Sequence, residues 1–81
     1  MTMTEPEALE LIAEALGGKN LTIQRGMKRD DIPNWDSVGA LMLMAELDEK
    51  CGILLDEKDL ESLNAIDDIL EVLQRHGKLQ N

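Results

Sequence analysis

The segment from Ser37 to Cys51 reads as one helix with apolar residues on two opposite faces, in a chain of only 81 residues. At about 100° per residue, Ala40, Leu43, Met44, Leu47 and Cys51 share one side, and Val38, Leu41, Met42 and Ala45 share the other. A surface helix in a small domain needs one apolar stripe to enter the core. The second stripe begins beside Ser37. Either the preceding loop covers it or it is a surface for a partner, with Glu46, Asp48 and Glu49 as an acidic margin.

Helical spacing recurs at both ends of the chain. Leu9, Ile12, Ala13 and Leu16 repeat at i, i+3, i+4 and i+7 behind a Thr4/Glu7 capping box, and Gly17-Gly18 stops the helix. The last helix is expected to start with Asn64 as N-cap and Asp67 three residues on. It buries Ile66, Ile69, Leu70 and Leu73 and ends near His76-Gly77, where Arg75 and His76 suit the negative end of the helix dipole. After Gly52, the run Ile53-Leu54-Leu55 is expected to close into the core. A short helical turn from Glu57 to Leu63, capped by Asp56, follows it. Residues 17–36 lack helical periodicity and read as a long ordered loop pinned by Leu21, Ile23, Met27 and Ile32. Such a loop in a small domain usually has a function. The expected fold is all-α: a small four-helix bundle of three longer helices and one short one, with the long loop between helices one and two. It forms a single domain over residues 1–81 with its core at about 5–77.

Charge and length exclude several functions. Seventeen acidic against eight basic side chains give a net charge of −9, the wrong sign for a surface that must neutralise nucleic acid phosphates. Basic partners and a soluble monomer are the expectation. The distribution is uneven: Lys19, Arg25, Lys28 and Arg29 lie in a stretch free of acids, whereas Asp30 to Glu71 is acid-rich and holds only Lys50 and Lys58 as lysines. The basic cluster offsets acidic neighbours in this reading and is assigned no ligand. Eighty-one residues lie near the lower limit for a core without staples and leave little room for a large catalytic cleft. The single Cys51 excludes an internal disulfide framework and suggests a reducing compartment, the cytosol. Met1 to Pro6 shows no signal-peptide pattern, and no apolar run approaches membrane-spanning length. An EF-hand register from Asp56 puts Lys58 and Leu60 at ligand positions and Glu61 where Gly is needed. No metal-ligand cluster, Cys/His pair or phosphate-binding glycine loop points to an enzyme.

The stretch Asn34-Trp35-Asp36-Ser37-Val38 sets one serine between a proline-bearing loop and a helix start. Asp36 can cap that helix and also supply local negative charge. Trp35 reads as a hydrophobic staple onto Ala40, with a recognition role as the alternative. Cys51 reads as a small core hydrophobe and His76 as a dipole partner.

In this order of elements the chain resembles the acyl carrier protein family, the phosphopantetheine-bearing carriers of fatty acid, polyketide and peptide assembly. Asp36-Ser37-Val38 matches the family's attachment motif, and Leu43, Leu47, Glu49, Gly52-Ile53, Asp56-Glu57 and the segment 65–73 fall at corresponding offsets. The resemblance runs from about Glu7 to Gly77, and the Trp-Asp-Ser form is similar to that of stand-alone carriers of specialised pathways. It implies 4'-phosphopantetheine on Ser37, with Asp36 as motif neighbour and no catalytic residue or metal. Its arm would hold acyl or aminoacyl groups as thioesters. The implied partners are a phosphopantetheinyl transferase, an acyl or aminoacyl ligase or transferase, and downstream synthase enzymes. They would dock on Val38, Leu41, Met42, Ala45, Glu46 and Glu49. Gly39 and Met42 stand where fatty-acid carriers often have acids, and Cys51 where an aromatic is common, so the partner face is more apolar at its start. An aminoacyl, D-alanyl or peptidyl carrier, or an unmodified helical interaction domain, are the alternatives.

Overall fold

A computed structural model describes residues 2–17, 22–33 and 35–80. Gly18, Lys19, Leu21 and Asn34 lie outside the described residues. Among those described there are four α-helices and no strand: α1 (Glu5–Leu16), α2 (Ser37–Cys51), α3 (Glu57–Glu61) and α4 (Ile66–Arg75). A 3-10 turn at Arg29–Asp31 interrupts the connection between α1 and α2. The radius of gyration, 11.2 Å, is close to the roughly 12 Å expected of a compact chain of this length.

Local chemistry explains where most of these helices begin and end. At α1 the Thr4 hydroxyl accepts the Glu7 backbone N–H at 3.3 Å, and the Glu7 carboxylate accepts the Thr4 N–H at 3.0 Å. Two of the helix's orphan donors are thereby satisfied. The same hydrogen bonds hold the Glu7 carboxyl below its ordinary pKa. α2 leaves through Gly52, whose φ of 68° is the left-handed conformation that glycine adopts at least cost, and the N–H of Ile53 closes back onto the Leu47 carbonyl. Asp56 caps α3 by accepting from Asp59 N–H at 2.8 Å; the helix ends at Glu61, and Leu63 is buried beyond it rather than within it.

The start of α4 differs from expectation by one residue. Ala65, not Asn64, is the N-cap, and the Asp68 carboxylate, not that of Asp67, reaches back to accept the N–H groups of Asn64 and Ala65 at 2.9 and 3.1 Å. Long-range pairing sets the register. Arg29 N–H donates to the Asn64 carbonyl, Ile66 N–H donates to the Met27 carbonyl, and Lys28 and Ala65 form an isolated antiparallel bridge. Asp67 is drawn outward instead, accepting the Gly26 N–H at 3.0 Å and pairing with Arg25, which also pairs with Glu5. The segment before the 3-10 turn is therefore stitched to the starts of both α1 and α4. Of its expected anchors, Ile23 and Ile32 are buried and Met27 is half-buried.

The core gathers Ala8, Leu11, Ile12, Ala15 and Leu16 of α1, Leu43, Leu47 and Cys51 of α2, and Ile66, Ile69, Leu70 and Leu73 of α4. The run after Gly52 does not close as a block. Ile53 is buried and Leu55 half-buried, but Leu54 is 78% exposed, because in non-helical backbone neighbouring side chains point to opposite sides. The first and last described segments meet: Met3 and Leu79 pair in a parallel bridge, with Met3 N–H to the Lys78 carbonyl at 2.8 Å and Gln80 N–H to the Met3 carbonyl at 2.7 Å. No helix among the described residues is long and apolar enough to cross a membrane.

Candidate functional site at the start of α2

Ser37 is the first residue of α2, and its position follows from the residue before it. Asp36 is extended and its carboxylate accepts the Gly39 N–H at 2.9 Å, so the helix cannot begin earlier and the next side chain is held at its mouth. Ser37 is exposed, and its hydroxyl makes no hydrogen bond among the described residues. Ser62, the other serine of the chain, contrasts with it: that hydroxyl donates to the Asp59 carbonyl at 2.7 Å. Trp35, the only aromatic residue, is buried to 4% exposure just upstream and anchors the approach to the helix.

The two faces of α2 separate by burial. Ala40, Leu43, Leu47 and Cys51 are buried and Met44 is half-buried. On the other side Val38, Leu41 and Met42 are 66%, 54% and 53% exposed, and Ala45 is exposed as well. Burying a side chain of this size is worth about 1.5–3 kcal/mol, so three such side chains left in water within five residues form a patch that folding alone does not explain. The described part of the preceding loop does not cover them.

Two shallow grooves flank Ser37 and divide this patch. One, of about 300 Å³, lies between the end of α1 and the first turns of α2, where Val38 and Met42 face Ala15 and Leu16 with Glu14 at the margin. The other, of about 310 Å³, lies between α2, α3 and the 3-10 turn. Its apolar walls are Ala40, Leu41 and Leu60, Ser37 opens into it, and Arg29, Glu57 and Glu61 complete the lining. Glu46 and Glu49 occupy different environments. Glu49 is exposed, while Glu46 is half-buried and engaged by the Lys50 ammonium at 3.3 Å, which also reaches Glu14 on α1 at 3.6 Å. Lys50 is consequently held above its ordinary pKa, chiefly by Glu46.

Arg29 is a feature of the site that sequence reasoning assigned no ligand. Its Nε donates to the Trp35 carbonyl at 3.1 Å, and the residue lines the groove beside Ser37. The signal in the sequence is weak: one arginine eight positions upstream of the serine, within a cluster of cations.

No base among the described residues is hydrogen-bonded to the Ser37 hydroxyl, although Glu57 and Glu61 line the same groove. The sole His76 lies past the end of α4 with Nδ1 at 2.9 Å from the Val72 carbonyl. No group of three or more His, Cys, Asp or Glu side chains among the described residues could hold a metal ion. No family model matches the chain, nor does any curated protein or solved structure.

Proposed function

We propose that this chain is a carrier protein of the acyl carrier type: a small four-helix bundle whose Ser37 bears 4'-phosphopantetheine and whose second helix is read by partner enzymes. The observation that carries this reading is the exposed Ser37 hydroxyl, unengaged among the described residues, at the first position of α2 and next to an uncovered apolar strip. A serine hydroxyl is a poor nucleophile without a base, and none is hydrogen-bonded to it among the described residues, so we assign activation to a phosphopantetheinyl transferase. In that step the Ser37 oxygen forms a bond to the pantetheine-bearing phosphorus of coenzyme A. The pyrophosphate bond to the nucleotide breaks, and the hydroxyl proton passes to a base of the transferase. The bound arm supplies a thiol that holds acyl or aminoacyl groups as thioesters.

The residues present fit such a group. The groove beside Ser37 has apolar walls for an extended chain, and the strip Val38, Leu41, Met42 and Ala45 offers a docking surface that shares Leu41 with it. The function is tethering: the bound group's effective concentration rises at each successive active site while the carrier itself catalyses nothing. An apolar start to the partner face favours ligases and synthase enzymes of a specialised pathway over those of housekeeping fatty acid synthesis. Acyl, aminoacyl, D-alanyl and peptidyl cargo are all compatible with this frame.

The test is incubation with a broad-specificity phosphopantetheinyl transferase and coenzyme A, followed by intact-protein mass measurement. A gain of one phosphopantetheine supports the reading. A chain that stays unmodified while a control carrier is converted contradicts it and leaves an interaction domain without a prosthetic group.

A further inference from the structure

We infer that Arg29 is the phosphate-binding residue of this site, pairing with the phosphodiester on Ser37 and holding the arm along the groove between α2 and α3. The inference rests on the proposed modification of Ser37.

Arg29 is distinguished by its position in a chain with 17 acids and 8 basic side chains. Arg25 and Lys50 each pair with two carboxylates, whereas Arg29, like Lys28, Lys58, Arg75 and Lys78, has none within ion-pair distance among the described residues; of these five only Arg29 and Lys78 are half-buried, and only Arg29 lines the groove beside Ser37. Glu57 and Glu61 line the same groove and still make no ion pair with it. A guanidinium without a carboxylate partner is free to take a phosphate, whose oxygens match its planar fork.

Its placement is fixed from several directions. The Arg29 N–H donates to the Asn64 carbonyl at 2.8 Å, the Arg29 carbonyl accepts from Ile32 at 3.2 Å, and Nε donates to the Trp35 carbonyl at 3.1 Å. Those bonds leave the terminal guanidinium nitrogens without a hydrogen bond among the described residues, and Arg29 lines the groove together with Ser37. Arg29 is also the one cation among the residues lining that groove, so an anion on Ser37 settles on the side of the 3-10 turn and away from the glutamates of α3. Leu41 and Leu60, apolar walls of that groove, are the residues that would line the remainder of the arm. Arg29 therefore biases an otherwise free arm toward one groove.

The experiment compares apo and transferase-modified protein by ¹H–¹⁵N NMR, with modification verified by mass. In the wild type, modification should shift the Arg29 Nε–H signal and the α3 amides of Leu60 and Glu61, which are far from Ser37 in sequence. Arg29→Gln, which retains a donor and loses the charge, should still be modified and should lose the α3 shifts, while Arg29→Lys retains them in part. The apo spectrum and melting temperature of each variant separate this effect from a structural role for the Trp35 hydrogen bond, which would act on apo and modified protein alike. A modified wild type whose Arg29 Nε–H does not move, or equal α3 shifts in modified Arg29→Gln, overturns the inference and leaves the carrier reading intact. Failure of the wild type to gain mass overturns both.

Discussion

The Asp36 carboxylate accepts the Gly39 backbone N–H at 2.9 Å, and this bond holds Ser37 at the first position of α2. One side chain thereby fixes where the helix begins and which hydroxyl it presents. Asp36→Ala should cost about 1 kcal/mol of stability by loss of the cap, whereas Asp36→Asn retains a capping oxygen. If the carboxylate's charge also serves the transferase, Asp36→Asn will keep the wild-type melting temperature and be modified more slowly. A mass time course with a thermal melt checks this, and wild-type kinetics in Asp36→Asn would limit the residue to capping.

Burial separates the two faces of α2, so substitutions on them should have opposite consequences. Leu41→Glu and Met42→Glu replace side chains that are more than half exposed and should change stability by less than about 0.5 kcal/mol while slowing loading by the cognate ligase or transferase. Leu43→Ala, at a fully buried position, should cost about 2–5 kcal/mol. Chemical denaturation combined with a loading assay reads both. Unfolding by either glutamate variant would show that the outer strip belongs to the core.

Much of this arrangement is legible in the sequence because it is chemistry between near neighbours. The Thr4/Glu7 box, the Asp36 and Asp56 caps and the Gly52 exit depend on residues within a few positions, and each is found where its residue types demand. The exposure of Val38, Leu41 and Met42 follows from helical periodicity and the shortage of core. What was not legible depends on distant partners. Asn64 is the better N-cap by type, yet its carbonyl accepts from Arg29, and Ile66 donates to Met27, which delays α4 by one residue and passes the capping role from Asp67 to Asp68. Leu54 reads as core in the sequence because the apolar run does not reveal its own backbone geometry; the segment is non-helical and buries Ile53 while leaving Leu54 exposed. Arg29 became visible as a site residue only once the groove beside Ser37 was formed.

Cys51 gives a pH dependence. Burial pushes its thiol above the ordinary value of 9.0, opposed by the weaker influence of Lys78 and Lys50. Below pH 9.0 both folded and unfolded chains keep the proton, and the contribution to stability is fully present. As pH rises past that value the unfolded thiol ionises first, so stability falls until the raised folded value is reached. Cys51→Ala should flatten this alkaline decline relative to the wild type, and native Cys51 should be alkylated far more slowly than the denatured chain. Equal alkylation rates would contradict the buried placement.

The most direct test of the central claim is to locate the modification rather than merely detect it. After reaction with a phosphopantetheinyl transferase and coenzyme A, peptide mapping by mass spectrometry should place one phosphopantetheine on the peptide containing Ser37. Ser37→Ala should abolish it, and Ser62→Ala, which removes the hydroxyl already bonded to Asp59, should leave it unchanged. A chain that remains bare under conditions that convert a known carrier, or one whose added mass persists in Ser37→Ala, contradicts the account.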